Sequence, residues 1–378
     1  MTTATPLPTR FQRLVLPGLA FKAAVIGGGY ATGRELAEFF VPSGPQGGVL
    51  AILVAMLCWS VVCALTFALA HAWRSFDYHA FFARLLGPFA FVFEIAYFLF
   101  MVLILAVFGA AAGEIGFAMF GWPKLVGTLL LVLGIGVFTA FGNRSVEALF
   151  KWVSFFLYGV YALFVVLVML RFGDRVGATL ATPQPTDGWL AGGLTYAGYN
   201  VVGAVIVLPL ARHFLCRRDA VVAGLVAGPL AIVPGLLFFL CMLAWYPTIG
   251  VEALPSDFIL RQLRLPLFHL LFQAMIFSAL LESATAAVHA ANERVAALWQ
   301  RRRGRELASS GRLGIAAVLL VGSIFIADRF GLVALIAEGY RGLAYLFLAV
   351  YVLPVATLGA WRLWRPAART VVSPLPDR

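Results

Sequence analysis

Apolar positions in this chain do not alternate, and they do not form one-sided helical stripes. They form long, nearly unbroken runs, divided by charged residues and by Pro/Gly clusters. A helix needs about 20 apolar residues to cross a bilayer. Ten runs qualify, at about 13–40, 48–71, 86–119, 122–141, 144–171, 187–212, 219–245, 264–297, 312–328 and 331–363. The pattern predicts an all-α integral membrane protein with ten transmembrane helices. No intervening stretch is long or polar enough for a second soluble domain, so 1–378 reads as a single transmembrane domain.

The first run contains a stretch that a membrane helix should resist, Ala23-Ala24-Val25-Ile26-Gly27-Gly28-Gly29-Tyr30-Ala31-Thr32-Gly33-Arg34-Glu35. Each glycine in a helix interior costs about 1 kcal/mol relative to alanine. Broken backbone at mid-membrane is tolerated only where protein or a water-filled cavity surrounds it. A broken first span of this kind is how many secondary transporters build a binding site. The competing reading is close helix packing through Gly29-x-x-x-Gly33. Tyr196-Ala197-Gly198-Tyr199-Asn200-Val201-Val202-Gly203 in the sixth run resembles the first motif, so both spans are expected to break. A register of 189 residues also pairs Phe141-Gly142 with Phe330-Gly331 and Leu157 with Leu346. The chain then divides into repeats of about 11–172 and 186–364. Five spans per half would invert the second repeat in the membrane.

The chain is 62% hydrophobic and 12% charged, outside the usage of soluble domains. Its net charge of +11 therefore reports orientation rather than a nucleic-acid partner. With the N-terminus inside, 19 Lys/Arg fall on inside segments and 6 on outside loops, out of 28. Positive residues collect on the cytoplasmic side, which places both termini and the Arg301–Arg305 loop in the cytoplasm of a cell-membrane protein. Met1–Pro8 does not read as a cleavable leader. Cys58, Cys63, Cys216 and Cys241 form no C-x-x-C pair and read as packing residues without metal or disulfide. There is no G-x-x-x-x-G-K-[ST] loop for a nucleotide phosphate, and Gly27-x-Gly29 lacks the strand and downstream acid of a dinucleotide site.

Val25-Ile26-Gly27-Gly28-Gly29-Tyr30-Ala31-Thr32-Gly33-Arg34-Glu35 followed by Phe39-Phe40 resembles the signature of the YkvI-like membrane proteins. Tyr199-Asn200, Leu281-Glu282-Ser283 and His289-Ala290-Ala291-Asn292-Glu293-Arg294-Val295 fit the same family. That family is similar to the amino acid–polyamine–organocation superfamily with its LeuT-type fold. The resemblance implies a five-plus-five inverted repeat with helices 1 and 6 broken, and secondary transport by alternating access.

A break in both spans nominates Gly27, Gly28, Gly29, Tyr30, Thr32, Gly33, Tyr196, Gly198, Tyr199, Asn200 and Glu282 for substrate contact. Exposed N–H groups there would favour a carboxylate, and freed carbonyls an amine or cation. The alternative for Tyr199-Asn200 is a polar pair bonding a neighbouring helix. The resemblance implies an outer gate of Arg34 with Glu338, against static pairing of Arg34 with Glu35 or Glu114. It also implies a sodium site from Ser283 and Thr285, or a lysine in its place, for which Lys151 stands. Lys151 could instead snorkel to the interface. Arg13 with Glu293 would make an inner gate, and Glu94, Glu114 and His289 are secondary candidates. No organic cofactor or metal is expected, only Na+ or H+ as coupling ion. The expected partners are the bilayer and a small solute, such as an amino acid or a related amine or carboxylate. The rival classes are a channel-like conduit and a membrane enzyme or sensor.

Overall fold

The structure, a computed structural model, describes residues 8–141 and 143–364; at 28, 29, 139–141, 143–155, 297, 298, 301, 302 and 309 it describes the backbone alone. All regular structure among the described residues is helical. The first run is divided into α1 (Arg10–Leu14), α2 (Leu16–Val25), α3 (Gly28–Ala31) and α4 (Arg34–Phe39). A capping box starts it, with Thr9 Oγ1 accepting from Gln12 N at 3.2 Å and Gln12 Oε1 accepting from Thr9 N at 2.8 Å. The helix breaks at Ile26, which leaves the helical region at φ −79°, ψ 75°. It turns again at Gly33, where φ is 81° and an added Cβ would lie 2.8 Å from the Phe238 ring. Only glycine meets both demands.

The rest of the first half is α5 (Gly44–Trp73), α6 (Tyr78–Leu86), α7 (Ala90–Phe120), α8 (Lys124–Phe141) and α9 (Asn143–Ala181). The second half is α10 (Trp189–Asn200), α11 (Val202–Ile206), α12 (Arg217–Met242), α13 (Pro255–Leu263), α14 (Pro266–Arg303), α15 (Ser309–Ala334), α16 (Arg341–Phe347) and α17 (Ala360–Trp364). Between α15 and α17 the backbone winds into π-helix at Leu335–Tyr340, Leu348–Val352 and Val355–Gly359.

Six stretches are long and apolar enough to cross a membrane: Arg34–Trp73, Tyr78–Phe120, Phe156–Ala181, Arg217–Trp245, Pro266–Ala296 and Ser310–Trp364. Leu16–Val25 and Lys124–Phe138 are shorter apolar helices. Large apolar side chains point outward from these helices, with Leu170, Val318 and Phe325 at 81%, 74% and 72% exposed. Water would not tolerate such a surface, and lipid does. The chain is a multi-pass membrane protein.

Small residues let the helices meet closely. A Cβ at Gly224 of α12 would fall 2.2 Å from the Ala64 backbone of α5. One turn on, Pro229 cannot donate to the Leu225 carbonyl. Ser60 Oγ of α5 donates to it instead, at 3.0 Å. That carbonyl of α12 is thus satisfied within the bilayer, as lipid surroundings demand.

The runs expected as spans 9 and 10 meet at Gly331, whose φ of 72° and ψ of 168° interrupt the helix. One expectation changes. Helix 6 is hardly broken: Val201 between α10 and α11 keeps helical angles, φ −59° and ψ −20°. It lacks glycine at the joint, and Asn200 Nδ2 donates to the Tyr196 carbonyl at 3.1 Å, so the turn tightens without unwinding.

Two short amphipathic helices close the ends of the bundle. In α6, Phe81, Phe82 and Leu85 are buried on one face, and Asp77 caps its start by accepting from Ala80 N at 2.8 Å. In α13, Ser256, Asp257, Leu260 and Leu263 are buried. That helix packs on α14 and α9 and meets the turn before α4, with Ser256 N donating to the Thr32 carbonyl at 3.0 Å.

Candidate functional site

The break in the first run opens into a cavity of about 260 Å³. Its walls come from the break itself, from α7 (Tyr97, Phe108), α9 (Tyr158), α10 (Tyr199, Asn200) and α14 (Glu282, Ser283), and from Tyr340. It reaches from Glu35 and Tyr340 at one end to Ala23, Tyr97 and Ala290 at the other. The latter end faces the side of the bundle that carries the N-terminus and Arg303, and Ala23 is exposed there.

Glu35 sits one turn past the break, on α4. It is 5% exposed and accepts a hydrogen bond from Tyr199 Oη at 2.5 Å. Tyr340 stacks on Tyr199, with ring centroids 4.4 Å apart. At Gly27, an added Cβ would lie 3.3 Å from Phe108 Cζ and 3.8 Å from Ser283 Oγ. Helical spacing explains which residues of α14 reach the cavity: Ala279, Glu282, Ser283, Ala286, Ala287 and Ala290 lie on one face. Thr285 lies off that face, buried, with its hydroxyl unpartnered.

Of the residues nominated from sequence, Gly27, Tyr199, Asn200, Glu282 and Ser283 are brought together at this cavity. Tyr30, Thr32, Gly33, Tyr196 and Gly198, also nominated for substrate contact, are not among its walls. Tyr30 is fully buried, with its hydroxyl against Gly235 of α12. Thr32 and Gly33 form the turn under α13, where Thr32 Oγ1 accepts from Arg34 N at 3.2 Å. Tyr196 belongs to an aromatic cluster with Phe40 and Trp59, at 4.7 and 5.5 Å between centroids. Gly198 packs against Ala344 of α16. Gly28 and Gly29 are described as backbone only, and the side chain of Lys151 lies outside the described residues.

Neither expected gate pair is in contact. Arg34 is 3% exposed and its guanidinium makes three bonds: to Glu38 Oε2 at 2.5 Å, and to the Gly250 and Glu252 carbonyls at 2.8 Å each. Glu338 is 78% exposed and meets Arg341 at 3.9 Å, and Arg341 reaches Glu38 at 3.8 Å. Arg34 and Glu338 are thus the ends of a four-member chain. The acid four residues on along α4 is a closer partner than one from another helix. Glu35 and Glu114 are not partners of Arg34 either, since Glu114 pairs with Lys124 at 2.5 Å. At the opposite end Arg13 pairs with Asp219 at 2.9 Å and Glu293 with Arg312 at 2.5 Å, so the expected inner pair is replaced by two separate ones.

Three contributors lie outside the nominated set. Glu38 was findable from the i,i+4 rule. Glu35 was weighed only as a partner for Arg34. Arg294 lies over the Tyr97 and Tyr78 rings at 3.6 and 3.8 Å, with Glu94 at 3.9 Å, and so ties α14 to α6 and α7 beside the cavity's exposed end. No sequence pattern marks that clamp, because its members are far apart along the chain.

No protein-family model and no curated protein sequence matches the chain. Solved structures do. MhsT in complex with L-phenylalanine superposes with a TM-score of 0.54 at 16% identity, over 95% of this chain and 98% of that one. Mhp1 in an inward-facing conformation gives 0.54 at 18% identity, over 93% and 80%. A manganese transporter from Eremococcus coleocola gives 0.51 at 17% identity, over 94% and 81%. Likeness at these identities establishes the fold, which is the LeuT type.

Proposed function

We propose that the chain is a secondary transporter, not an enzyme, moving a small solute across the membrane by ion-coupled alternating access. One observation carries this reading. Interrupted backbone at Ile26 and Gly27 leads directly into a buried cavity that is sealed beyond Glu35 by Arg34 and α13 and exposed at its Ala23 end. A conduit needs a path through both ends, whereas a carrier shuts one end while the other admits solute. The fold is shared with proteins named as transporters, which supports the same reading.

On this reading the chain makes ten crossings in two inverted five-span repeats, about 11–172 and 186–364. The coupling ion is Na+ or H+: Ser283 beside Gly27 supplies oxygen for the former, and the cavity's carboxyls supply proton sites for the latter. The test is uptake by proteoliposomes of a solute first found by thermal shift, since a bound ligand raises apparent stability. Gradient-driven accumulation above that of protein-free vesicles is expected. A solute that binds but equilibrates through an ungated pore, with no dependence on any ion gradient, would point to the conduit.

The charge bias places both termini and the Arg301–Arg305 loop in the cytoplasm at the cell membrane. Arg303 is exposed and suited to a reporter. In a cysteine-free background, Arg303→Cys should stay unlabelled by an impermeant thiol reagent in intact cells and react after lysis. Labelling before lysis would invert the orientation.

A further inference from the structure

Among the described residues, the charge lining the cavity is of one sign. Glu35 and Glu282 both line it, and no lysine, arginine or histidine among the described residues does. The groups around Glu35 are hydroxyls. Tyr199 bonds it, Tyr30, Tyr196 and Tyr340 lie within electrostatic reach, and the adjacent Arg34 turns away to Glu38. Glu282 lies within electrostatic reach of Tyr158 of α9, which lines the same cavity. Two cations nearby lie over rings of the cavity wall. Lys22 Nζ is 4.0 Å from the centre of the Tyr158 ring, and Arg294 covers Tyr97 next to Glu94. Lys151 stands on α9 seven residues before Tyr158, about 10 Å along the helix towards the N-terminal end of the bundle.

Aromatic faces complete the lining, from Phe100, Phe108, Tyr158, Tyr199 and Tyr340. Ring faces attract cations. A carboxylate ligand would meet two like charges with no cation among the described lining residues to answer it. The helical pieces after the two joints, α3 and α11, have four and five residues. They are too short to offer a strong N-terminal dipole for an anion. The site therefore disfavours amino acids and carboxylates.

Resting on the transporter reading above, we propose that this cavity takes a small organic ammonium ion with an apolar body and exchanges it for a proton. A carboxylate shut away from water without a partner is costly. One of the two acids stays protonated throughout, and the cavity can close at both ends only when the other is neutralised as well. In one half of the cycle the ammonium ion pairs with the carboxylate, and the proton that carboxyl held leaves to water on the side the amine came from. In the other half the amine departs, and the carboxylate oxygen takes a proton from water on the side of release. One proton moves against one ammonium charge, no net charge crosses, and the empty, unprotonated carrier does not return. Exchange is then obligatory.

The experiment uses the full chain and four probes with one apolar body: phenethylamine, phenethyltrimethylammonium, phenylalanine and phenylacetate. In sodium-free detergent solution, thermal shift should give the two cations an affinity at least tenfold better than phenylalanine or phenylacetate. Glu35→Gln and Glu282→Gln should each weaken the cations at least tenfold. In proteoliposomes, an acid interior should drive accumulation of phenethyltrimethylammonium, which cannot cross the bilayer as a free base, while an enclosed dye reports loss of internal protons. Equal or tighter binding of phenylalanine or phenylacetate overturns the substrate class, and so does absence of binding by both cations. Accumulation driven by a sodium gradient and indifferent to pH overturns the exchange and leaves the transporter reading standing. Binding of the cations without flux under any gradient overturns the transporter reading and the exchange with it.

Discussion

Gly27→Leu is expected to abolish solute binding while leaving the protein folded. Gly27 lines the cavity at the break, and its φ lies outside the left-handed region, so an L side chain fits its backbone. What the substitution changes is space. The first added carbon already meets Phe108 Cζ at 3.3 Å, and the isopropyl group beyond it must enter a volume of about 260 Å³. Overpacking forces neighbours to move or the ligand to leave. Affinity should fall at least about a hundredfold, ~2.7 kcal/mol, and uptake should fall with it. Gly27→Ala adds only the first contact and should retain part of the binding. Thermal shift and proteoliposome uptake on the three proteins measure the series. A leucine variant that binds like the parent would move the site away from the break.

Arg34→Ala is expected to open the opposite end. Arg34 holds α4 to the segment before α13 through the Gly250 and Glu252 carbonyls, and it neutralises Glu38. Its removal leaves two carbonyls and a carboxylate without that partner, with only Arg341 at 3.8 Å from Glu38. Breaking one side of a buried pair costs about 3–5 kcal/mol, and that cost falls on the closed arrangement alone. The balance should shift towards opening. Ser256→Cys, buried in the first turn of α13 where its N–H meets the Thr32 carbonyl, serves as reporter in a background lacking the four native cysteines. Its labelling rate in detergent should rise at least about tenfold, ~1.4 kcal/mol. Glu38→Gln should act in the same direction. The double change with Arg34→Gln should cost less than the sum, since both members act in one network. Unchanged labelling in Arg34→Ala would show that α13 is held by other contacts.

The membrane class and the long helices were legible because lipid imposes a simple rule, about 20 apolar residues per crossing. The break was legible to within a residue or two. Its cause was read as the three glycines, yet the helix fails at Ile26 and resumes at Gly28, so the glycines permit the gap more than they form it. The likeness of Tyr196–Gly203 to the first motif carried no information on unwinding. Val201 is β-branched and helical where the first span has glycine. Ser283 and Thr285 were paired by residue type, although residues two apart on a helix point about 200° apart, and only Ser283 reaches the cavity. The gate pairs depended on which acid is nearest in three dimensions. Local geometry settled that for Arg34 and Glu38, and tertiary contacts settled it for Arg13 with Asp219. The one-sided charge of the cavity was not readable from sequence, since it depends on Arg34, Lys22 and Arg294 all turning elsewhere.

The Arg34 seal is made on one side by a guanidinium and on the other largely by main-chain carbonyls. Every amino acid brings that carbonyl with it. Mutation at Glu252 can therefore drift without touching the lock, provided the chain keeps its path. Arg34 has no such latitude: its planar fork reaches two carbonyls and a carboxylate at once, and a lysine point charge does not reproduce that reach. Inheritance of the closed state is thus asymmetric. One partner is written in the genetic code at a single codon, and the other is written in the shape of a loop that many sequences can draw.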